Sequence, residues 1–241
     1  MDITEYLTLS AIFPLLILSL HLSQSYLVGM PETVQRFIFN FILMLVFTSY
    51  FLWKLFIKLR RRENLRLGFD AERAVGQELN NLVSMGYKVF HDIPGEKFNI
   101  DHIVVGPTGV FCIETKGRPK SIDIDGNSEH EVTYDGEKLI FPKWIERKPI
   151  EQVIRNSDWL AKTLSRSINE EVKVVPALCI SGWQIYRESK LKPFTFNGKN
   201  SEGLFIKMKG YELSPNTINK IVNQIELWID DVETMAYKIN S

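Results

Sequence analysis

Cysteine is nearly absent from this chain. There are two in 241 residues, Cys112 and Cys179, each inside an apolar run (VFCI and ALCI). This excludes a disulfide framework, and the pair reads as small core residues in a reducing compartment. Four scattered histidines, none at zinc spacing, exclude a Cys/His zinc module. No internal repeat and no low-complexity tract is present. Net charge is lacking as well, with 29 Lys/Arg against 29 Asp/Glu, so the chain as a whole is not a polycation built to grip nucleic acid. Charge is also missing locally. No Asp, Glu, Lys or Arg occurs from Tyr6 to Pro31, nor from Phe37 to Trp53.

Those two stretches are what the chain has most plainly. A bilayer core requires about 20 mostly apolar residues in a helix, because backbone groups find no water there. Leu7–Leu27 and Phe37–Ile57 meet this, the first less cleanly because it carries Pro14, His21, Ser23, Gln24 and Ser25. The short polar stretch from Pro31 to Arg36 predicts a tight antiparallel hairpin. Tyr50 and Trp53 suit the interface at its exit. A secretory signal peptide fits poorly, since MDITE lacks a basic start and no small-residue cleavage pattern follows. A hairpin buried in a soluble core is the plainer alternative. The loop holds Arg36 alone, whereas the exit holds Lys54, Lys58, Arg60, Arg61 and Arg62. The positive-inside tendency then predicts an inner-membrane, multi-pass protein with both termini cytoplasmic. The expected division is 1–62, membrane hairpin with basic juxtamembrane segment, and 63–241, a soluble domain.

The soluble part alternates α and β signals. A helix is expected over Gly68–Met85, ended by Gly86. Strands are expected at Tyr87–Ile93, Asn99–Val105 and Gly109–Lys116, with GPTG (106–109) turning the last two into an antiparallel hairpin. Asp123–Phe141 is polar, with a turn at Asp135-Gly136 and a further hairpin. Pro149 opens a helix to about Ser167. Val172–Ile180 and Leu204–Met208 read as strands, and Ser214-Pro215 opens a last helix to about Tyr237. The implied class is α/β, a mixed central sheet flanked by helices.

The chemistry lies in the hairpin. Its strands are almost continuously apolar, as expected of strands buried on both faces. By the period of two, Asp101 shares a face with Ile103 and Val105, and Glu114 and Lys116 share one with Val110 and Cys112. Carboxylates beside a buried face are costly unless paired. Two of them on adjacent strands can share a divalent cation such as Mg²⁺, which prefers oxygen ligands. Lys116 would then sit beside the metal, able to orient a water or neutralise charge developing on a phosphate. The simpler reading is a set of strand-end charges or one salt bridge.

The same residues resemble the PD-(D/E)XK nuclease superfamily, and more narrowly its nuclease-related domain (NERD) family. GFDAERAV (68–75) resembles the family's Gly-x-x-Gly-Glu before an apolar helix. NIDHIVVGPTGVFCIETK (99–116) resembles its central motif, and KPIEQ (148–152) its Asn-Pro-x-x-Gln. The likeness runs from about Gly68 to Leu164. It implies a restriction-endonuclease-like sheet and a metal-dependent nuclease hydrolysing phosphodiester bonds of DNA, or RNA. It also implies Asp101 and Glu114 as ligands of Mg²⁺ or Mn²⁺ and Lys116 positioning the attacking water. Glu72 would hold a water or second metal, and Gln152 would fix geometry or touch the phosphate. Ala71 and Lys148 replace a glycine and an asparagine of the pattern without removing a catalytic group. Gly117-Arg-Pro-Lys120 departs from it where substrate would approach.

Plainer roles compete. An early-helix glutamate such as Glu72 suits the helix dipole, a helical glutamine such as Gln152 is ordinarily solvated, and His102 alternates away from Asp101. Trp144, Trp159, Trp183 and Trp228 read as core or surface aromatics. Beyond residue 62 there remain 23 Lys/Arg against 26 Asp/Glu, a net of −3. That balance favours a non-catalytic binding module of the same fold, while the intact acids and lysine favour the enzyme. The basic groups Arg118 with Lys120, and Lys143 with Arg147 and Lys148, are local exceptions. The expected partners are nucleic acid, the lipid bilayer, and a protein partner or second copy. A nuclease tethered at the inner membrane would be placed to meet incoming DNA, as in defence.

Overall fold

The computed structural model describes residues 2–29, 31, 33–122, 128–199, 204, 205, 207 and 211–240. It divides into two compact units, Met1–Arg66 and Leu67–Ser241. In the first, α1 (Ile3–Tyr26) begins with a reciprocal cap. The Asp2 carboxylate accepts the Glu5 N–H at 3.0 Å, and the Glu5 carboxylate accepts the Asp2 N–H at 2.7 Å. α2 spans Val34–Asn80. Its N-terminal part packs on α1 through Phe13, which stacks on Phe47 and Phe51 with centroids 5.1 Å away in each case. Polar contacts also join the helices: the Asn40 amide lies 3.1 Å from His21 Nδ1, and Arg36 Nη2 donates to Ser25 Oγ at 2.6 Å. Both helices are long and apolar enough to cross a membrane, and only 6% of the apolar window of each is buried. Leu15, Leu16, Phe39 and Val46 face outward. A helix in a soluble core would bury such residues.

The second unit is an α/β domain. Its strands are β1 (Lys88–Pro94), β2 (Asn99–Gly106), β3 (Gly109–Gly117), β4 (Ser121–Ile122), β5 (Ser128–Glu129), β6 (Glu131–Tyr134), β7 (Leu139–Ile140), β8 (Ile145–Glu146), β9 (Val174–Ser181), β10 (Gln184–Arg187) and β11 (Phe194–Phe196). Its long helices among the described residues, besides the end of α2, are α3 (Lys148–Ile168) and α4 (Pro215–Asn240). The central sheet has the order β1-β2-β3-β9-β11. β1, β2 and β3 form an antiparallel meander, while β9 runs parallel to β3 and β11 parallel to β9. A parallel neighbour needs a crossover, and α3 lies in the connection from β3 to β9. A smaller sheet, β10-β6-β7-β8, and the two-stranded ribbon β4-β5 hold the remaining strands among the described residues.

Each face of the central sheet has its own core, as the continuous apolar runs require. Ile103, Val105, Val110 and Cys112 pack on Leu160 and Leu164 of α3 and on Ile221 and Ile225 of α4. Val104, Phe111 and Ile113 pack on Val75 and Leu79 of α2 and on Leu82. A third cluster joins the smaller sheet to α3 through Tyr134, Leu139, Trp183, Ile150 and Val153.

Two sequence expectations are corrected. Gly68–Met85 is not a separate helix. α2 runs unbroken from Val34 to Asn80, and a 3₁₀ turn, Asn81–Met85, follows. The residues between Trp53 and Gly68 (KLFIKLRRRENLRL) are mostly strong helix formers with no breaker among them. The chain ends the turn where expected, at Gly86 with φ 84°. Of the strand expected over Leu204–Met208, the described residues Leu204, Phe205 and Lys207 are helical, and the edge strand is Phe194–Phe196 instead. Phe205 is fully buried against Phe111 and Phe196, so its apolar run reflects burial, which cannot by itself distinguish helix from strand. The Asp135-Gly136 turn does join two antiparallel strands, β6 and β7. Asp123–Asn127, the start of the expected polar hairpin, lies outside the described residues.

Gly117 sets how closely α2 approaches β3. A Cβ there would lie 2.5 Å from the Leu67 carbonyl oxygen and 2.9 Å from Ala71 Cβ. Backbone cannot yield as a flexible side chain can. Gly117→Ala is therefore expected to destabilise the protein by about 1–3 kcal/mol through overpacking, read as a lowered thermal midpoint. An unchanged midpoint would mean that α2 does not rest on this strand.

Candidate functional site

The site forms where two strands part. β2 and β3 pair from Gly106↔Gly109 to His102↔Ile113. Beyond that point β2 stays with β1 as far as Asn99, and β3 stays with β9 as far as Gly117. Continuing the register by one residue sets Asp101 opposite Glu114, on one face of the sheet. The fork leaves the Thr115 N–H without a ladder partner, and Asp101 Oδ2 accepts it at 2.6 Å. Lys116 Nζ lies 2.6 Å from Glu114 Oε1. From α3, the Asn156 amide reaches Glu114 Oε2 at 3.5 Å.

Burial makes these charges consequential. Glu114 is 2% exposed. Desolvation first, and then the Asp101 charge, push its carboxyl up to about 7 against the pull of Lys116. Asp101 is raised by desolvation too, opposed by the Thr115 N–H and by Lys116. Glu72, on α2, is raised by desolvation and by Asp101, and Lys116 opposes this. The structure thus brings Glu72, Asp101, Glu114 and Lys116 into one electrostatic group.

Two clefts flank the fork. One, of about 410 Å³, contains Glu72, Arg73, His91, Asp92, Asp101 and His102 in its lining. The other, of about 530 Å³, contains Lys116, Arg118, Glu146, Arg147, Lys148 and Gln152. Gln152 therefore stands with Lys116, half-buried on α3 one turn before Asn156, and Glu72 stands with Asp101 on the opposite side. His102 is buried and structural in the sense expected, but it is paired: its Nδ1 lies 2.8 Å from His91 Nδ1. Such a contact needs one N–H and one lone pair. Desolvation, then His91, push His102 down to about 4, and desolvation lowers His91 as well.

Three contributors escaped the sequence reading. Asp92 takes φ 51° within β1, accepts the Asn99 amide at 2.8 Å, and raises both Asp101 and Glu72. Its only trace was the His91-Asp92 pair interrupting an apolar run; aspartate tolerates this left-handed backbone better than most residues. His91 is the second. Asn156, fully buried, is the third; an amide at a core position of α3 was the available signal.

Among the described residues, no group of three or more His, Cys, Asp or Glu side chains forms a ready-made metal cage. Asp101 and Glu114 are the residues that could hold a cation. Two carboxylates driven toward protonation by burial and by each other gain from a divalent ion, and Mg²⁺ keeps several waters rather than requiring a full protein cage. Residues 67–181 match the family model of the nuclease-related domain, NERD. No curated protein and no solved structure matches the chain.

The raised carboxyls fix a sign. Between pH 4.5 and about 7 the folded chain keeps a proton on Glu114 that the unfolded chain has released. Glu114's contribution to the stability of the metal-free protein should therefore fall as pH rises through that window, while His102, held neutral down to about 4, contributes in the opposite direction. Thermal unfolding in chelator isolates the first: wild type should lose stability relative to Glu114→Gln from pH 4.5 to about 7. A difference between the two that does not change with pH contradicts the assigned burial.

Proposed function

Residues 67–181 belong to the nuclease-related domain family, and from that premise we propose that the chain is a membrane-anchored, divalent-metal-dependent nuclease. Its reaction is hydrolysis of phosphodiester bonds in DNA, or RNA. The carrying observation is the fork itself: a lysine and two mutually destabilising carboxylates meet on adjacent strands, one of the acids almost wholly buried.

In this reading Asp101 and Glu114 hold Mg²⁺ or Mn²⁺, which supplies Lewis acidity toward phosphate oxygens and bound water. The Thr115 N–H and the Asn156 amide keep the two carboxylates oriented. Lys116 orients the attacking water or meets charge developing on the phosphate. Glu72 holds a water at the carboxylate side. Gln152 hydrogen-bonds the phosphate or fixes the position of Lys116 in their shared cleft. The domain occupies 63–241 and the hairpin 1–62. Support for spanning comes from two apolar helices whose side chains face outward. The Lys54–Arg62 cluster orients the domain into the cytoplasm, at the inner membrane, where incoming DNA would be met.

The net of −3 beyond residue 62 supports a second reading, a non-catalytic binding module. Turnover separates them. Lys116→Ala should cut the cleavage rate about 10²–10³-fold, as loss of one preorganised charge typically does, with fold and metal binding kept. Asp101→Ala should lose metal affinity and activity together. Metal titrations and turnover compare the two variants. Wild-type protein that cleaves neither DNA nor RNA with Mg²⁺ or Mn²⁺ hands the case to the binding module. For topology, reporters fused in the loop after α1 and at the C-terminus should read outside and inside respectively; an external C-terminus refutes the orientation.

A further inference from the structure

The two clefts beside the fork carry opposite charge. The first has Glu72, Asp92 and Asp101 against Arg73. The second has Lys116, Arg118, Arg147 and Lys148 against Glu146. In a domain that is acidic overall, a polyanion meets an attractive field in only one of these two clefts. The cations of that cleft are not equivalent. Arg118 is spent within the protein: its Nε and Nη2 donate to the two Glu146 oxygens at 2.8 and 2.7 Å, and Trp144 Nε1 donates to Glu146 Oε1 at 2.7 Å. Trp183 Nε1, in turn, donates to the Arg118 carbonyl at 3.2 Å. The pair is a fixed, nearly neutral floor. Arg147 and Lys148 are exposed, and among the described residues neither has a carboxylate partner. Ile145, 58% exposed, stands beside them. Two rim cations with an apolar side chain next to them do not enclose a small anion. They suit a chain of phosphates with sugar and base surface between.

We infer that the cleft edged by Arg147, Lys148, Ile145 and Gln152 is the track along which a nucleic-acid strand runs to Lys116. Arg147 and Lys148 hold backbone phosphates and Ile145 lies against sugar or base. This rests on the nuclease reading for its ligand class, but it is tested by binding. Full-length protein in detergent, with chelator to prevent cutting, is titrated against a short fluorescent DNA strand and its duplex at several salt concentrations. Arg147→Ala/Lys148→Ala should weaken binding roughly tenfold or more and reduce the log–log salt slope by about 1.4–1.8, the share of two phosphate contacts. Glu146→Gln, which releases Arg118, should tighten binding. Lys162→Ala/Arg166→Ala, which removes equal charge from exposed positions toward the other end of α3, should leave it unchanged.

The track is overturned if the Arg147/Lys148 double variant binds like wild type. It is also overturned if the Lys162/Arg166 control loses as much, if wild type binds neither DNA form, or if millimolar inorganic phosphate displaces DNA from wild type and double variant alike. With Mg²⁺ added, the double variant should keep its turnover at saturating DNA and show a raised KM. Wild type that binds through Arg147 and Lys148 yet never cuts sustains the track and removes the nuclease.

Discussion

Much of this domain's chemistry follows from β2 and β3 ceasing to pair beyond His102 and Ile113 while each keeps its other neighbour. Strands that part inside a sheet leave backbone groups that must find other partners. Here the Thr115 N–H takes the Asp101 carboxylate at 2.6 Å. The bond satisfies the backbone and fixes the acid at the same time. Because β1 and β9 hold the outer sides, the fork is a rigid notch rather than a frayed end. Its depth explains why Glu114 is buried although the clefts on either side admit solvent.

A buried carboxylate needs company, and the surrounding packing provides it. Lys116 returns along its own strand to Glu114, two residues earlier on the same face. Asn156 occupies a core position of α3 between Val153 and Leu160, where an apolar residue would pack as well. Its amide is explained by Glu114 Oε2 at 3.5 Å. Gly117 belongs to the same arrangement. With no side chain there, the first turns of α2 beyond Leu67 lie against the end of β3, which brings Glu72 within the field of Asp101 and Lys116. The Gly-Arg-Pro-Lys departure after the lysine therefore begins with a packing requirement.

What could be read from the sequence depended on periodicity and local punctuation. The hairpin of β2 and β3 was legible because apolar runs and the GPTG turn mark both strands; it is the observed register that sets Asp101 opposite Glu114. The helix from Pro149 was legible from its proline start. The onset of the domain's first helix was not, because α2 carries no cap between Val34 and Gly68. The edge strand at Phe194–Phe196 was hidden beside a proline and lysines, while the apolar run at Leu204, with Phe205 buried, mimicked it. Asp92 and Asn156 were illegible for a different reason. One depends on a left-handed backbone and the other on which core position faces the fork, and neither leaves a periodic trace.

The charge balance of the domain, puzzling for a protein expected to meet phosphates, resolves once position replaces sum. Holding a divalent cation calls for clustered carboxylates, whereas holding a phosphate chain calls for cations. Placed in one cleft, the two sets would neutralise each other and leave neither ligand a field. The fork separates them, with Glu72, Asp92 and Asp101 on one side and Arg147 and Lys148 on the other. Lys116 is paired to Glu114 yet lines the basic cleft, so one ammonium borders both regions. A net of −3 beyond residue 62 then disfavours nonspecific adhesion of a polyanion, and of the two clefts it is the one lined by Lys116 that offers an attractive field.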